Sequence, residues 1–526
     1  MGTYLNPGNS GFEDICRGRY VDKTGMIALI NDTIGTPDKL TCITRPRRFG
    51  KSFAAQMLCA YYDKTCDSSP LFDDKEIAKA QSYREHLNKY DVIYLNMTDV
   101  LGETTTADLV AFIKRNIVRE LTECYQSLTV VEGFSATLVN AVQAAGNKLI
   151  MIIDEWDAPI REHPEISDEY LGFLRMLFKS SATTSRVFAA AYMTGILPIK
   201  KDGSQSAISD FDEYTMLGPL QFSEYVGFTE KEVVDLCEKY HRDFSLMKQW
   251  YDGYSLEDVG SVYNPYSVMK AVKNNCFRSY WTGTSSTECL LSYIERDVHG
   301  LGKTIARLIG GDGVPIETNG FENDLFTFKN QDDVLTLLVH LGYLTYDEQT
   351  GSVHIPNEEI RLEFSRTIRE DKSLDTMKRV QESDKLIMDT IHMNTEAVAA
   401  QIEKIHIEAT NPLNANNENS LRAVIQIAYF SYKDHYIKKE ELPTGYGYAD
   451  IVYLPKQGEY IPALLIELKW NQSADTAIEQ IKRKKYPEVL QGYGGDILLV
   501  GINYDKEVPA SDRKYICKIE KWNGNS

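Results

Sequence analysis

The segment from Leu40 to Ser52 reads LTCITRPRRFGKS and runs into FAAQMLCAYY, whose apolar residues recur at helical spacing. A β-rich run, a loop, Gly50-Lys51-Ser52 and a helix start follow one another in the order that builds a phosphate cradle. The amides at such a helix start have no partner within the helix and point at an anion. Lys51 adds a point charge for the terminal phosphates, and the Ser52 hydroxyl can ligand Mg²⁺. This is the P-loop pattern G-x-x-x-x-G-K-[ST] with Arg45 where the first glycine belongs. The competing reading is a chance Gly-Lys-Ser in a surface loop.

A second cluster weighs against chance. Lys148-Leu149-Ile150-Met151-Ile152-Ile153 is a buried-strand run that ends in Asp154-Glu155, and a further run ends in Met193-Thr194-Gly195. An apolar strand delivering two adjacent carboxylates to a sheet edge is the Walker B arrangement. Asp154 would bind Mg²⁺ through water, Glu155 would polarise the attacking water, and Thr194 stands where a γ-phosphate would be sensed. Arg45, Arg47 and Arg48 flank Lys51, so charge neutralisation around a triphosphate is favoured over a surface fork for a partner's carboxylate or phosphate.

A third cluster lies near the C-terminus, where GYADIVY at 447–453 precedes IPALLIELKW at 461–470. Side chains alternate along a strand, so Glu467 and Lys469 share a face, and Asp450 can join it if the turn at PKQGEY makes the two strands antiparallel. Two carboxylates can hold Mg²⁺ beside a scissile phosphate, while Lys469 activates water or offsets charge. Glu-x-Lys alone is a weak signal. Its weight comes from charges interrupting a core-like strand, where burial without a partner or metal is costly. A solvated hairpin face with an ordinary salt bridge is the alternative.

These residues carry two family resemblances. YVDKT at 20–24, TRPRRFGKS at 44–52, IIDEWDAPI at 152–160, MTGILPI at 193–199 and WYDGYS at 250–255 together resemble the AAA-ATPase-like proteins over about the first 285 residues. That bacterial family replaces the first P-loop glycine with an Arg-Pro-Arg-Arg loop, and the resemblance implies ATP as ligand and Tyr20–Thr24 near the nucleotide. It also often carries a restriction-endonuclease-like domain at its C-terminus. Asp450, Glu467-Leu468-Lys469, and a helix with Gln480 and Tyr486 resemble the PD-(D/E)XK nuclease superfamily. The resemblance implies Asp450 and Glu467 as ligands for Mg²⁺ or Mn²⁺, Lys469 as the catalytic lysine, Gln480 as a supporting polar residue and Tyr486 as a structural one. Glu418 is the candidate for the superfamily's helical glutamate. Tyr448 departs from the Arg common there.

The expected fold class is α/β, and the elements that must position these groups fall into three stretches. Residues 1–285 alternate short strands (Leu40–Thr44, Val92–Asn96, Leu149–Ile153, Arg186–Met193) with amphipathic helices, the pattern of a parallel sheet in a P-loop ATPase domain. Residues 286–375 read as a helical, winged-helix-like middle domain, with a helix at Asp332–Leu341 before a hairpin around DEQTG. Its helix carries little positive charge, which favours a spacer over a docking role. Residues 376–526 read as a restriction-endonuclease-like α/β domain of order α, β, β, α, β, with strands near Asp450–Leu454, Ile461–Trp470 and Asp496–Ile502 and a basic helix at Ala474–Tyr486.

The 526 residues predict about three cores, and 43% hydrophobic with 25% charged residues excludes a disordered or fibrous chain. Lys and Arg number 57 against 76 Asp and Glu, so 57 − 76 = −19 argues against coating nucleic acid by bulk charge. A polyanion needs a local basic site, and Lys482–Lys485 is the candidate, its alternative a solvated helix face. Nine scattered cysteines without a C-x-x-C pair read as reduced thiols. The start MGTYLNPGNSGFEDICRGRY lacks a signal-peptide pattern and no apolar run spans a bilayer, so the expected place is the bacterial cytoplasm with no membrane partner. The leading expectation is an ATPase fused to a Mg²⁺-dependent nuclease acting on nucleic acid, DNA first, with nucleotide state gating the cutting domain. One alternative is a nucleotide-switched regulator that binds nucleic acid or protein without cutting. Another is an ATPase acting on a protein partner, with the last domain as an oligomerisation module.

Overall fold

The computed structural model describes residues 2–522 except 180, 200–207, 209, 257–258, 282–300, 320, 322–327, 329, 371–374, 410–417, 430–431, 433–434, 445–446, 457–460, 485–494 and 509–513. It forms two compact units, Met1–Thr284 with Pro315–Glu363, and Ser285–Val314 with Phe364–Ser526. The stretch read as a middle domain is thus divided between them. No described helix is long and apolar enough to cross a membrane.

In the first unit β1 (Leu40–Thr44), β2 (Asp91–Asn96), β3 (Leu149–Asp154), β4 (Phe188–Gly195) and β5 (Asp212–Tyr214) make one sheet in the order β2-β3-β4-β1-β5, every neighbouring pair parallel. Parallel neighbours need crossover connections, which helices such as Lys51–Tyr62, Leu109–Cys124 and Ser167–Phe178 supply. Every residue of β1, β3 and β4 is buried, because helices cover both faces of such a sheet. Cys42, Met151, Ile153 and Met193 join Ile113, Leu174 and Phe178 in one hydrophobic core.

Parallel strands put their C-terminal ends at one edge. The register sets Asn96 beside Asp154, Asp154 beside Thr194 and Thr194 beside Ile43. The acid-bearing strand is therefore separated from the P-loop strand by β4, which places Thr194 between the two chemistries. β4 starts later than the sequence implied, because Arg186 and Val187 finish the helix Ser181–Val187. The helix Gln331–Leu341 and the hairpin Thr345–Asp347 with Ser352–His354 follow in the expected order and belong to this unit.

The second unit is built on β6 (Tyr436–Thr444), β7 (Gly447–Pro455), β8 (Ala463–Trp470), β9 (Ile497–Tyr504) and β10 (Tyr515–Lys521), paired in chain order. All neighbours are antiparallel except β8 and β9, whose parallel pairing is bridged by the helix Ala474–Arg483. Ile466 and Leu468 pack with Leu421, Ile425 and Ile402 on one face of the sheet. Leu465 packs with Ile478 and Ile481 on the other, the face that Glu467 and Lys469 share by alternation. β6 and β10 extend the expected order. Both are edge strands, with exposed Ile437 and Ile516 among charged residues, so neither has the unbroken apolar run of a central strand.

Candidate functional site

Gly50, at φ 92°, turns the chain from β1 into the helix Lys51–Tyr62, and Arg48 before it also lies in left-handed space at φ 71°. The turn leaves Lys51 3% exposed, its Nζ donating to the Pro46 carbonyl at 3.0 Å and standing 3.8 Å from Glu155 Oε1. Burial lowers the Lys51 pKa, while Glu155, Asp157 and Asp154 pull it back up. Asp154 is wholly buried at the end of β3. Burial pushes its carboxyl up to about 6, against the opposing pull of the Ser52 hydroxyl. Its Oδ1 accepts from the Glu155 amide at 3.1 Å, and its Oδ2 has no hydrogen-bond partner among the described residues. A buried carboxylate oxygen with spare lone pairs beside a serine hydroxyl suits a hard divalent cation.

The arginines of the loop part company. Arg45 is fully buried and donates to the carbonyls of Thr44 at 2.8 Å and Tyr214 at 3.0 Å, and burial lowers its pKa to about 10. Arg48 lines the cleft described next, yet its guanidinium bonds the Tyr280 carbonyl and lies 4.4 Å from the Tyr266 ring centroid. Arg47 is half-buried and does not line that cleft.

Beside Gly50, Lys51 and Ser52 opens a cleft of ≈ 300 Å³, walled by Tyr20, Val21, Phe53, Met57, Tyr225, Phe228 and Tyr266 and reached by Glu155. Its size and apolar lining suit a small planar ligand. Phe53, 58% exposed at the start of the helix, is free to stack. Tyr20 bonds the Lys23 amide and Met57, so the YVDKT segment is fixed at the cleft wall. Tyr225, Phe228 and Tyr266 carry no motif and could not have been picked out from the sequence.

In the second unit the antiparallel pairing of β7 with β8 runs from Tyr453–Leu464 to Ile451–Ile466 and stops one residue short of Asp450 and Glu467, close enough for the Asp450 charge to act on the Glu467 carboxyl. Asp450 Oδ2 accepts from the Leu468 amide at 2.8 Å, and Oδ1 accepts from Arg422 Nη2 at 2.8 Å. Glu467 is 2% exposed. Its Oε1 accepts from Lys469 Nζ at 3.0 Å and from Gln480 Nε2, and its Oε2 has no hydrogen-bond partner among the described residues. Burial, then the charge of Asp450, pushes the Glu467 carboxyl up to about 7. Among the described residues no group of three His, Cys, Asp or Glu gathers to hold a metal. Two carboxylates with one vacant buried oxygen still fit Mg²⁺, which keeps several waters and takes substrate phosphate oxygens as ligands.

Lys482 is bonded to Glu520 at 2.5 Å, and the positive charge of Lys484 acts on Glu467. Lys485 and Tyr486 lie outside the described residues, as does the side chain of Glu418 at the start of its helix. Arg422, one turn further along that helix, was not anticipated, and its position after Glu418 is the only hint the sequence holds.

A pH dependence follows. Folded, Glu467 keeps its proton up to about pH 7, whereas the unfolded chain loses it near the ordinary glutamate value. The stability this contributes is complete below that ordinary value and is lost as pH rises through 7. A cation held by Glu467 would have to displace the proton. Mn²⁺ should therefore raise the melting temperature little at pH 5.5 and increasingly through pH 7 to 8, as measured by thermal unfolding with and without the metal.

A family model described as predicted AAA-ATPase matches residues 8–204, and a PD-(D/E)XK nuclease superfamily model matches residues 416–510. A curated relative, an uncharacterized protein in the vnfD 5′ region of Azotobacter chroococcum mcd 1, is 25% identical over 287 residues, covering 52% of each chain. The chain thus spans about half the length of that relative. The Aeropyrum pernix ORC2 protein, solved in ADPNP and ADP complexes, aligns at TM-score 0.32 and 12% identity over 67% of this chain and 96% of its own. A STAND signal-transduction ATPase with a tetratricopeptide-repeat sensor from Pyrococcus horikoshii aligns at TM-score 0.25 and 12% identity over 79% and 48%. By its family matches and the α/β architecture that carries them, the chain joins an AAA-ATPase-like domain to a C-terminal domain of the PD-(D/E)XK nuclease superfamily.

Proposed function

We propose that the chain hydrolyses ATP in its first unit and cleaves nucleic-acid phosphodiester bonds, DNA first, in its second, each with Mg²⁺, in a bacterial cytoplasm. One observation carries the reading at both centres: a buried carboxylate oxygen without a partner among the described residues, on an acid that interacts with a buried lysine, Asp154 with Lys51 and Glu467 with Lys469.

In the first unit the amides at the start of Lys51–Tyr62 and the Lys51 ammonium hold the β- and γ-phosphates. Ser52 and Asp154 would hold Mg²⁺, which when bound offsets charge on the phosphate oxygens. Thr194 faces the γ-phosphate from β4, Glu155 orients the attacking water, and the base lies among Tyr20, Phe53 and Tyr266. In the second unit Asp450 and Glu467 would hold Mg²⁺ or Mn²⁺, Gln480 fixes the Glu467 carboxylate, and Lys469 orients water and balances negative charge as the phosphodiester opens.

The non-cutting regulator draws on a separate observation. Asp450 is engaged by Arg422 and Lys482 by Glu520, so part of the charge a nuclease needs is already paired inside the unit. Cleavage assays with Mn²⁺, with and without ATP, separate the two readings. A structure with a non-hydrolysable ATP analogue and Mn²⁺ tests both centres together, and it counts against the reading if density is absent beside Asp154 and between Asp450 and Glu467.

A further inference from the structure

The motif IIDEWDAPI holds a third acid, Asp157, that the roles above leave unused. Asp157 is fully buried at the start of the helix Ala158–Glu162. Its Oδ1 accepts from the Ile196 amide at 3.2 Å and its Oδ2 from the Leu197 amide at 3.1 Å, so it grips the chain just beyond Thr194-Gly195. A Cβ added at Gly195 would stand 2.4 Å from Asp157 Oδ1 and 2.6 Å from the Trp156 ring, so only glycine lets these groups close on the tip of β4. The Trp156 amide donates to the Thr194 carbonyl at 3.0 Å and ties the same two segments a second time.

Arg161 completes the link. Its Nε donates to Asp157 Oδ2 at 2.8 Å and its Nη2 to Glu155 Oε2 at 3.3 Å, with the side chain 12% exposed. The planar fork of guanidinium can serve two carboxylates at once, which an ammonium cannot. Glu155 itself sits in left-handed backbone at φ 52°, a conformation that costs energy for a side chain of this kind and is held by its surroundings. It also lies between two cations, Lys51 at 3.8 Å and Arg161. Phosphate bound at Lys51 would draw that cation away and leave Glu155 to Arg161.

We propose that Asp157 and Arg161 are positioning residues that tie the Glu155 carboxylate to the tip of β4, so that a γ-phosphate against Thr194 sets where Glu155 points. A buried ion pair is no stability device by default, since apolar replacement is often neutral or better, and a positional role accounts for keeping this one. The proposal rests on the reading of Glu155 as the residue that orients water.

The test measures ATP hydrolysis and affinity for a non-hydrolysable ATP analogue with Mg²⁺ in the full chain, for Glu155→Gln, Arg161→Ala, Arg161→Lys, Asp157→Asn and the double variant Glu155→Gln with Arg161→Ala. Misplacing a reacting group by about 1 Å costs about 10²-fold in rate. Arg161→Ala should lose about that in kcat with its nucleotide affinity unchanged. Arg161→Lys, which keeps the charge but not the fork, should bind nucleotide normally and remain slow. The double variant should be no slower than Glu155→Gln alone. If Glu155→Gln turns over like wild type, the reading of Glu155 falls and the proposal with it. If Glu155→Gln is slow while Arg161→Lys and Asp157→Asn keep wild-type kcat, the proposal alone falls. Affinity lost in step with kcat in the arginine variants also overturns it, since that marks a merely structural role. Should Arg161→Ala not fold, Arg161→Lys and Asp157→Asn decide.

Discussion

A Lys51→Ala chain melts at the same temperature with and without ATP and Mg²⁺, and its ATP turnover falls by about 10²–10³-fold, the loss seen when one preorganised charge-stabilising donor is removed. The reason lies in where the ammonium sits. It is 3% exposed and held by the Pro46 carbonyl at 3.0 Å, with Glu155 Oε1 3.8 Å away. Phosphate oxygens replace these partners without a new charge having to be buried. The helix amides survive the substitution, but the cation proposed to hold the β- and γ-phosphates does not. Ligand at about 100 times its dissociation constant stabilises the folded chain by about 2.7 kcal/mol, a shift of several degrees that the wild type should give and the variant lose. The unliganded variant should melt close to wild type, because burial disfavours the Lys51 charge in the folded state. An ATP shift of wild-type size in Lys51→Ala would mean that nucleotide binds elsewhere.

The parts legible in the sequence are those in which local pattern and chemistry coincide. β1 with Gly50-Lys51-Ser52, and β3 with Asp154-Glu155, each combine an apolar run with functional residues at its end, and the parallel register brings those ends together. Likewise the antiparallel turn before Glu467 was legible, and it brings the Asp450 charge to bear on the Glu467 carboxyl, though the strand pairing stops one residue before them. Contacts across long chain separations left no such trace. The cleft wall comes from Tyr225, Phe228 and Tyr266, which meet Lys51 only in the folded chain. Arg45 reads as a phosphate ligand by its position in the loop, yet its guanidinium turns to backbone carbonyls at the β1 and β5 ends, a partner invisible without knowing that β5 lies beside β1. β5 itself, Asp212–Tyr214, has no apolar run to announce it. Lys482 looks like a free cation on a basic helix until β10 brings Glu520 to it.

The two centres treat their lysines differently, and the second largest effect follows from that contrast. Lys51 stands at a loop with oxygens it can exchange for phosphate, while Lys469 is bonded directly to the carboxylate proposed to hold the metal, at 3.0 Å. Its charge and hydrogen bond, together with the charge of Lys484, oppose the rise of the Glu467 pKa, which burial and Asp450 push up to about 7. Removing the ammonium leaves a buried carboxyl with a weaker reason to ionise. Asp450→Ala and Lys469→Ala should both reduce Mn²⁺-dependent cleavage by about 10²–10³-fold or more, but by different routes. Asp450→Ala deletes a proposed ligand and should abolish Mn²⁺-dependent thermal stabilisation at every pH, leaving Arg422 without this carboxylate. Lys469→Ala keeps both ligands and should move the onset of that stabilisation to higher pH, since the Glu467 proton is harder to displace. Neither variant should unfold the unit, whose core on the opposite face of the sheet runs through Ile466, Leu468 and Val500. Cleavage at the wild-type rate in both variants would place the cutting at another site or in another protein, and an unshifted pH onset in Lys469→Ala would remove Lys469 from the control of Glu467.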